Sequence, residues 1–118
     1  MRMNSSVLFL VTEDPRTSAM PAEVVRIAAG LAAGKRLEVS VYLRGPAVLV
    51  LGAGNGELID DENFVRYLPL VAHEAHPIFV ESGSCLLPSP GEERVPFAEI
   101  SDANLVPFMA KTNLVWRF

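Results

Sequence analysis

Val7-Leu8-Phe9-Leu10-Val11 is an unbroken apolar run, and no other feature limits the possible folds of this chain as much. Strands exposed on one face alternate apolar and polar residues; a continuous run like this belongs to a strand covered on both faces. A polar loop, Glu13 to Ser18, comes next, and then a helix starting near Pro21, a residue suited to the first helical position. Val24, Ile27, Ala28 and Leu31 recur at helical spacing, and Gly34 followed by Lys35-Arg36 marks the end. Leu37 to Leu43 then reads as a second strand that turns at Gly45-Pro46. Strand, helix and strand at this spacing imply a parallel pair joined by a right-handed crossover.

Ala47 to Leu51 fits either a third strand or a short helix after Pro46, and Gly52-Ala53-Gly54-Asn55-Gly56 reads as a loop. A helix follows from Asp60 or Asp61. Acidic residues cap its positive end, Phe64, Leu68, Val71 and Ala75 line one face, and Pro69 sits inside the pattern. His76-Pro77-Ile78-Phe79-Val80 delivers a strand into the small-residue turn Ser82-Gly83-Ser84-Cys85. The proline-rich stretch Leu86 to Pro96 reads as a surface loop lying over that turn. Phe97 to Ile100 is a short strand, Ser101 or Asp102 caps a helix through Ala110, and Leu114 to Phe118 closes the chain as a strand. The expected fold is therefore a three-layer α/β/α domain spanning residues 1–118, with a mainly parallel sheet of about five strands.

Bulk composition excludes several classes of function. A chain of 118 residues, half of them hydrophobic, is long enough for one core and too apolar for a disordered tail. The net charge of −4 argues against a general nucleic-acid binder, although Lys35, Arg36 and Arg44 are close enough in sequence for a small basic patch. No stretch approaches the roughly 20 apolar residues of a membrane span, and the Val7 to Val11 run is too short for a secretion signal. The expectation is a soluble cytoplasmic protein without a membrane partner. The single cysteine leaves no internal disulfide and no cysteine-rich zinc site.

Chemistry in open α/β sheets collects at the carboxyl ends of strands, and Cys85 lies just beyond one. A thiol there can act as a nucleophile if its thiolate is stabilised by nearby backbone N–H groups, or it can serve as a small core residue. Neighbouring Glu81 opposes ionisation if it points the same way. Thr12, Arg16, Thr17 and Ser18 follow the first strand and could border the same pocket, with Arg16 suited to an anion. His73 and His76 sit near the opposite end of the Cys85 strand, roughly 25–30 Å away at ~3.3 Å per residue. They read as surface or helix-end histidines, and the His-x-x-His spacing without a third ligand is weak evidence for a metal. Gly52-x-Gly54-x-Gly56 resembles a dinucleotide fingerprint, but Glu57 stands at the third glycine position and acids follow. Trp116 and Phe118 make the last strand aromatic enough to need pairing or cover, at a subunit contact for example.

The order of these elements resembles the DsrE/DsrF-like family of small sulfur-relay proteins, which have the YchN-like fold. The resemblance is carried by the first strand and its alanine-rich helix ending in Ala33-Gly34, and by Val39 to Leu43. It continues through His76-Pro77-Ile78-Phe79-Val80, then Ala98-Glu99-Ile100-Ser101-Asp102 leading into the last helix, and the final strand Leu114 to Phe118. Many members carry one cysteine or a C-x-x-C pair just after the strand that corresponds to Ile78-Phe79-Val80. Cys85 takes the place of the second cysteine and Ser82 that of the first. An Arg-Gly that often follows is replaced here by Leu86-Leu87-Pro88-Ser89-Pro90. The resemblance implies a sulfurtransferase-like carrier in which Cys85 accepts and passes on a persulfide sulfur, with Ser82, Gly83 and Ser84 around it. It also implies a homo-oligomer, a trimer or hexamer, protein donors and acceptors of sulfur, and no cofactor. The alternative is an oligomeric binding module of the same fold that has lost the thiol chemistry.

Overall fold

The computed structural model describes residues 5–34, 37–52, 57–73 and 76–118. Five strands form one sheet: β1 (Ser5–Val11), β2 (Leu37–Leu43), β3 (Ile78–Glu81), β4 (Phe97–Ile100) and β5 (Leu114–Arg117). Their spatial order is β4-β3-β2-β1-β5, and every pairing is parallel. β1 lies between β2 and β5, with Val7 beside Val39 on one side and Leu114 on the other. That position explains its unbroken apolar run, because both faces and both edges are covered.

The helices divide unequally between the faces. Val7, Phe9 and Val11 of β1, with Val39, Val41 and Leu43 of β2, join the larger core. That core is closed by α1 (Met20–Ala33) and α2 (Asp61–Val71), and by a 3₁₀ helix at Gly45–Leu51. The alternate residues Leu8, Leu10, Tyr42 and Phe79 face a smaller core against Leu105 and Phe108 of α3 (Asp102–Lys111). The result is the three-layer α/β/α architecture, with two helices on one face and one on the other.

Local chemistry sets most element ends. Pro21 stands in the first turn of α1, and Ser101 caps α3 by accepting a bond from the Asn104 N–H at 3.3 Å. The Ala47 to Leu51 segment resolves as the 3₁₀ helix, with Ala47, Val48, Val50 and Leu51 buried. Gly45 opens it at φ +60°, a left-handed conformation that a side chain rarely adopts and that lets the chain turn directly after β2.

The start of α2 departs from the expected acidic cap. Asp60 adopts a left-handed φ of 54° and makes no side-chain cap bond. Asp61 turns instead to Arg94, which arrives from the proline-rich segment between β3 and β4. The Arg94 guanidinium also donates to the Gly52 carbonyl at 2.6 Å and lies 5.7 Å from the centre of the Phe64 ring. The backbone N–H of Arg94 donates to Leu51 at 2.8 Å. The segment expected to lie over the Cys85 turn is thus fastened at its far end to the α2 side, with Val95 buried in the larger core. Gly52 bridges to Glu93, whereas Ala53 to Gly56 and Ala75 lie outside the described residues.

Phe9 is fully buried and meets Trp116 edge to face at 5.5 Å and Phe118 at 5.9 Å. Phe9→Ala is therefore expected to cost about 3–5 kcal/mol, as a large aromatic truncation at the centre of a core does. Urea unfolding should show it, while Val106→Ala on the exposed side of α3 stays within about 0.5 kcal/mol of the parent.

Candidate functional site at the carboxyl edge of the sheet

Because all five strands are parallel, their carboxyl ends share one edge. Thr12 follows β1, Arg44 follows β2, Ser82 follows β3, Ser101 follows β4 and Phe118 follows β5. Backbone bonds tie these segments together. The Thr12 N–H donates to Phe118 at 2.7 Å, Arg44 to Val11 at 3.0 Å and Ser82 to Ile100 at 3.2 Å.

Two clefts open along this edge. The first, about 430 Å³, is walled by Leu10, Thr12, Tyr42, Arg44, Leu105 and Met109, together with Arg117 and Phe118 from the end of the chain. The second, about 380 Å³, is formed by Gly45, Pro46 and Glu81, the turn Ser82 to Cys85, and Leu86. Cys85 is exposed on that turn, where Gly83 adopts φ +76°. Ser82, Gly83 and Ser84 thus share a cleft with the thiol. Thr12 lies in the other cleft, and its hydroxyl donates to the Phe118 carbonyl at 3.0 Å.

Arg16 joins neither group. Its Nε and Nη2 donate to the Asp14 carboxylate at 3.0 and 2.9 Å, so its charge is met within its own loop. That pairing holds the Asp14 carboxyl below its ordinary range. The expected common pocket of the first loop and Cys85 is therefore replaced by two separate clefts, because Arg44 and Glu81 stand between them.

Arg44 is the residue whose position carries more than its sequence context suggests. Its Nη1 donates to the Tyr42 hydroxyl at 2.8 Å and to Asp102 Oδ1 at 2.9 Å, and its Nε lies 3.7 Å from Glu81 Oε2. Glu81 Oε1 in turn accepts the Gly45 N–H at 2.7 Å. Two carboxylates thus meet the charge that Arg44 would bring to a basic patch, and Lys35 and Arg36 lie outside the described residues. The rule that singled out Cys85, position just past a strand's carboxyl end, applies equally to Arg44 and would have found it.

The cluster sets the protonation of its members. Hydrogen bonds from Arg44 hold the Asp102 carboxyl below the usual aspartate range, and Asp102 and Tyr42 together raise the Arg44 guanidinium further. Tyr42 is moved upward by burial, which outweighs the opposing influence of Arg44. Tyr42 therefore remains a protonated donor at neutral pH.

The turn around Cys85 is less polarising than its composition promises. Ser82 N–H is taken by Ile100, and Gly83 N–H donates to Glu99 Oε1 at 3.0 Å. The Ser84 hydroxyl accepts from the Leu86 N–H at 3.2 Å. At the other end of the sheet His76 Nε2 contacts the Val39 carbonyl and lies 3.4 Å from the Ser40 hydroxyl, and His73 is exposed. Neither histidine reaches the Cys85 turn. Among the described residues no group of three or more potential metal ligands comes together.

The same fold is found in a known protein. The crystal structure of the ychN protein from E. coli superimposes with a TM-score of 0.72, covering 98% of this chain and all of that one, at 16% sequence identity. The fold is YchN-like. No protein-family model matches the sequence, and no curated protein matches it at significant similarity. The YchN likeness accounts for the architecture, and identity this low carries no residue roles with it. Among the described residues, no helix is long and apolar enough to cross a membrane.

Asp102 should titrate below the ordinary aspartate value near 4, and Arg44→Ala should move it upward. The Arg44–Asp102 contribution is fully present above the unfolded-state value and is lost as pH falls through the lower folded one. Carboxyl-carbon NMR titration measures both; an Asp102 curve unchanged by Arg44→Ala would mean that the pair does not form in solution.

Proposed function

We propose that the protein is a one-thiol sulfur carrier in which Cys85 accepts and passes on a sulfane sulfur. The observation that carries this reading is the exposure of the chain's sole thiol on the rim of a cleft at the carboxyl edge of the sheet. The sequence resemblance to small sulfur-relay proteins supplies the chemistry, and the YchN-like fold agrees with it. In the accepting step the Cys85 thiolate attacks the terminal sulfur of a donor persulfide. The donor S–S bond breaks, the donor leaves as its own thiolate, and Cys85 becomes the persulfide, so no external oxidant is needed. An acceptor thiolate then takes that sulfur by the same exchange. Ser82, without a thiol, leaves Cys85 to work alone.

This reading extends to a cytoplasmic homo-oligomer, trimer or hexamer, that exchanges sulfur with partner proteins and uses no cofactor. Thr12 and Arg16 are left out of the sulfur site, and Gly83 and Ser84 shape its turn.

A second reading is favoured by the occupied N–H groups of Ser82 and Gly83 and by the carboxylates of Glu81 and Glu99 beside them. These withhold the positive field that a reactive thiolate uses. On that reading the protein is a binding module of the same fold without thiol chemistry.

Intact-mass measurement after incubation with a persulfide donor separates the two. The carrier should gain about 32 Da, one sulfur atom, and Cys85→Ser should gain nothing. A parent protein that stays unmodified overturns the carrier reading.

A further inference from the structure

Among the described residues, nothing pairs with the outer edge of β5. The Phe118 N–H donates to Leu10 and its carbonyl accepts from Thr12. In a parallel ladder, residues 114 and 116 then also bond toward β1, while Val115 and Arg117 turn their N–H and C=O groups outward. Leu114 and Trp116 are 44% and 41% exposed, on the face where Trp116 meets Phe9. The opposite edge of the sheet is built differently. β4 starts directly after Pro96 and carries Glu99, whose carboxylate accepts the Gly83 N–H. Proline and charge of this kind discourage the addition of a strand. β5 has neither a proline nor an acid, and its open peptide groups beside exposed apolar side chains are a template for another strand.

The strand is complementary to itself in one antiparallel register. A two-fold axis at Arg117 would set two guanidinium-bearing residues directly opposite each other, a like-charge pair. An axis at Val115 would set Arg117 against the partner's Asn113, whose N–H is already given to Ser6. An axis at Trp116 sets Val115 against the partner's Arg117 on both sides. Every outward N–H and C=O of the two strands is then paired, and the cations stand apart. Trp116 meets the partner's Trp116 at the close, non-hydrogen-bonded position, with Leu114 opposite the partner's Phe118.

We propose that β5 pairs with β5 of a second copy of this chain in the Trp116-centred register, joining two five-stranded sheets into one of ten strands. The strand surface available is on the order of 300 Å² per copy, against roughly 800 Å² for a stable interface. The contact is therefore dissociable, and the paired fraction rises with protein concentration. A two-fold contact makes a dimer, or joins two trimers into a hexamer, and never makes a lone trimer. It deepens the homo-oligomer of the reading above and needs no sulfur chemistry, since Cys85 lies toward the other side of the sheet.

Sedimentation velocity on the full chain, over a concentration series, should show even-numbered assembly that grows with concentration. Arg117→Pro removes an outward N–H at an exposed position and should weaken association about tenfold or more. Cys85→Ser should assemble like the parent, which keeps this result apart from the persulfide measurement. Crosslinking in a glutathione redox buffer reads the register. In a Cys85→Ser background, Trp116→Cys should form an intermolecular disulfide, because residues opposed at that position have Cα atoms within disulfide reach. Arg117→Cys in the same background should not, its two Cα atoms being roughly 8 Å apart. Circular dichroism confirms that each variant is folded. A parent that stays monomeric or forms only a trimer, an Arg117→Pro variant that associates like the parent, or an Arg117→Cys variant that crosslinks as readily as Trp116→Cys would each overturn the proposal. So would a Trp116→Cys variant that forms no disulfide.

Discussion

The parallel pairing of β1 on both edges governs this structure. A parallel sheet needs crossovers that lay helices on its faces, so its inner strands must be apolar throughout. β1 meets that demand with Val7 to Val11, and β2 meets it with buried residues from Val39 to Leu43. The one polar member of that stretch, Ser40, is buried beside His76 rather than exposed. The same pairing brings every strand's carboxyl end to one edge. The residues able to do chemistry are therefore gathered there by topology before any of them interacts.

Electrostatics then divides that edge. Arg44 leaves β2 between two acids, Asp102 from the start of α3 and Glu81 from the end of β3. The acids keep a cation at a crowded edge without net charge, and the cation keeps Glu81 turned toward Gly45. Surface pairs of this kind contribute little stability singly, so the value of the cluster is positional. It separates a thiol-bearing cleft from an apolar one and fixes the Tyr42 oxygen as an acceptor.

Sequence periodicity carried the fold because the strands are short, apolar and separated by well-marked helices. Each of the five strands and the three helices lies where the residue pattern puts it, with ends shifted by a residue or two, except that α2 stops at Val71, short of the Ala75 its apolar spacing suggested, because the chain turns extended at Ala72. Three features were not readable from sequence. Ala47 to Leu51 satisfies strand and helix patterns equally, and only burial in the larger core decides for a 3₁₀ helix. Asp61 looks like a dipole-stabilising acid, yet its partner is Arg94, more than thirty residues onward. Arg16 and Thr12 follow the same strand as each other but do not share a cleft with Cys85, since local geometry gives Arg16 to Asp14. In each case a choice among competing partners decided the outcome, and periodicity holds no record of that choice.

The unequal covering of the sheet carries the argument one step further. Two helices and a 3₁₀ segment close one face, while α3 alone covers the other. A single helix of ten residues is about 15 Å long and cannot span the width of five strands. Hollows therefore remain on its face of the sheet, one at the carboxyl edge beside Tyr42 and one near Ser40, His76 and Phe108. A compact fold tolerates such hollows where something else fills them, whether water, a ligand or another chain. The carboxyl-edge hollow sets Tyr42, Arg117 and the Phe118 main chain beside apolar walls.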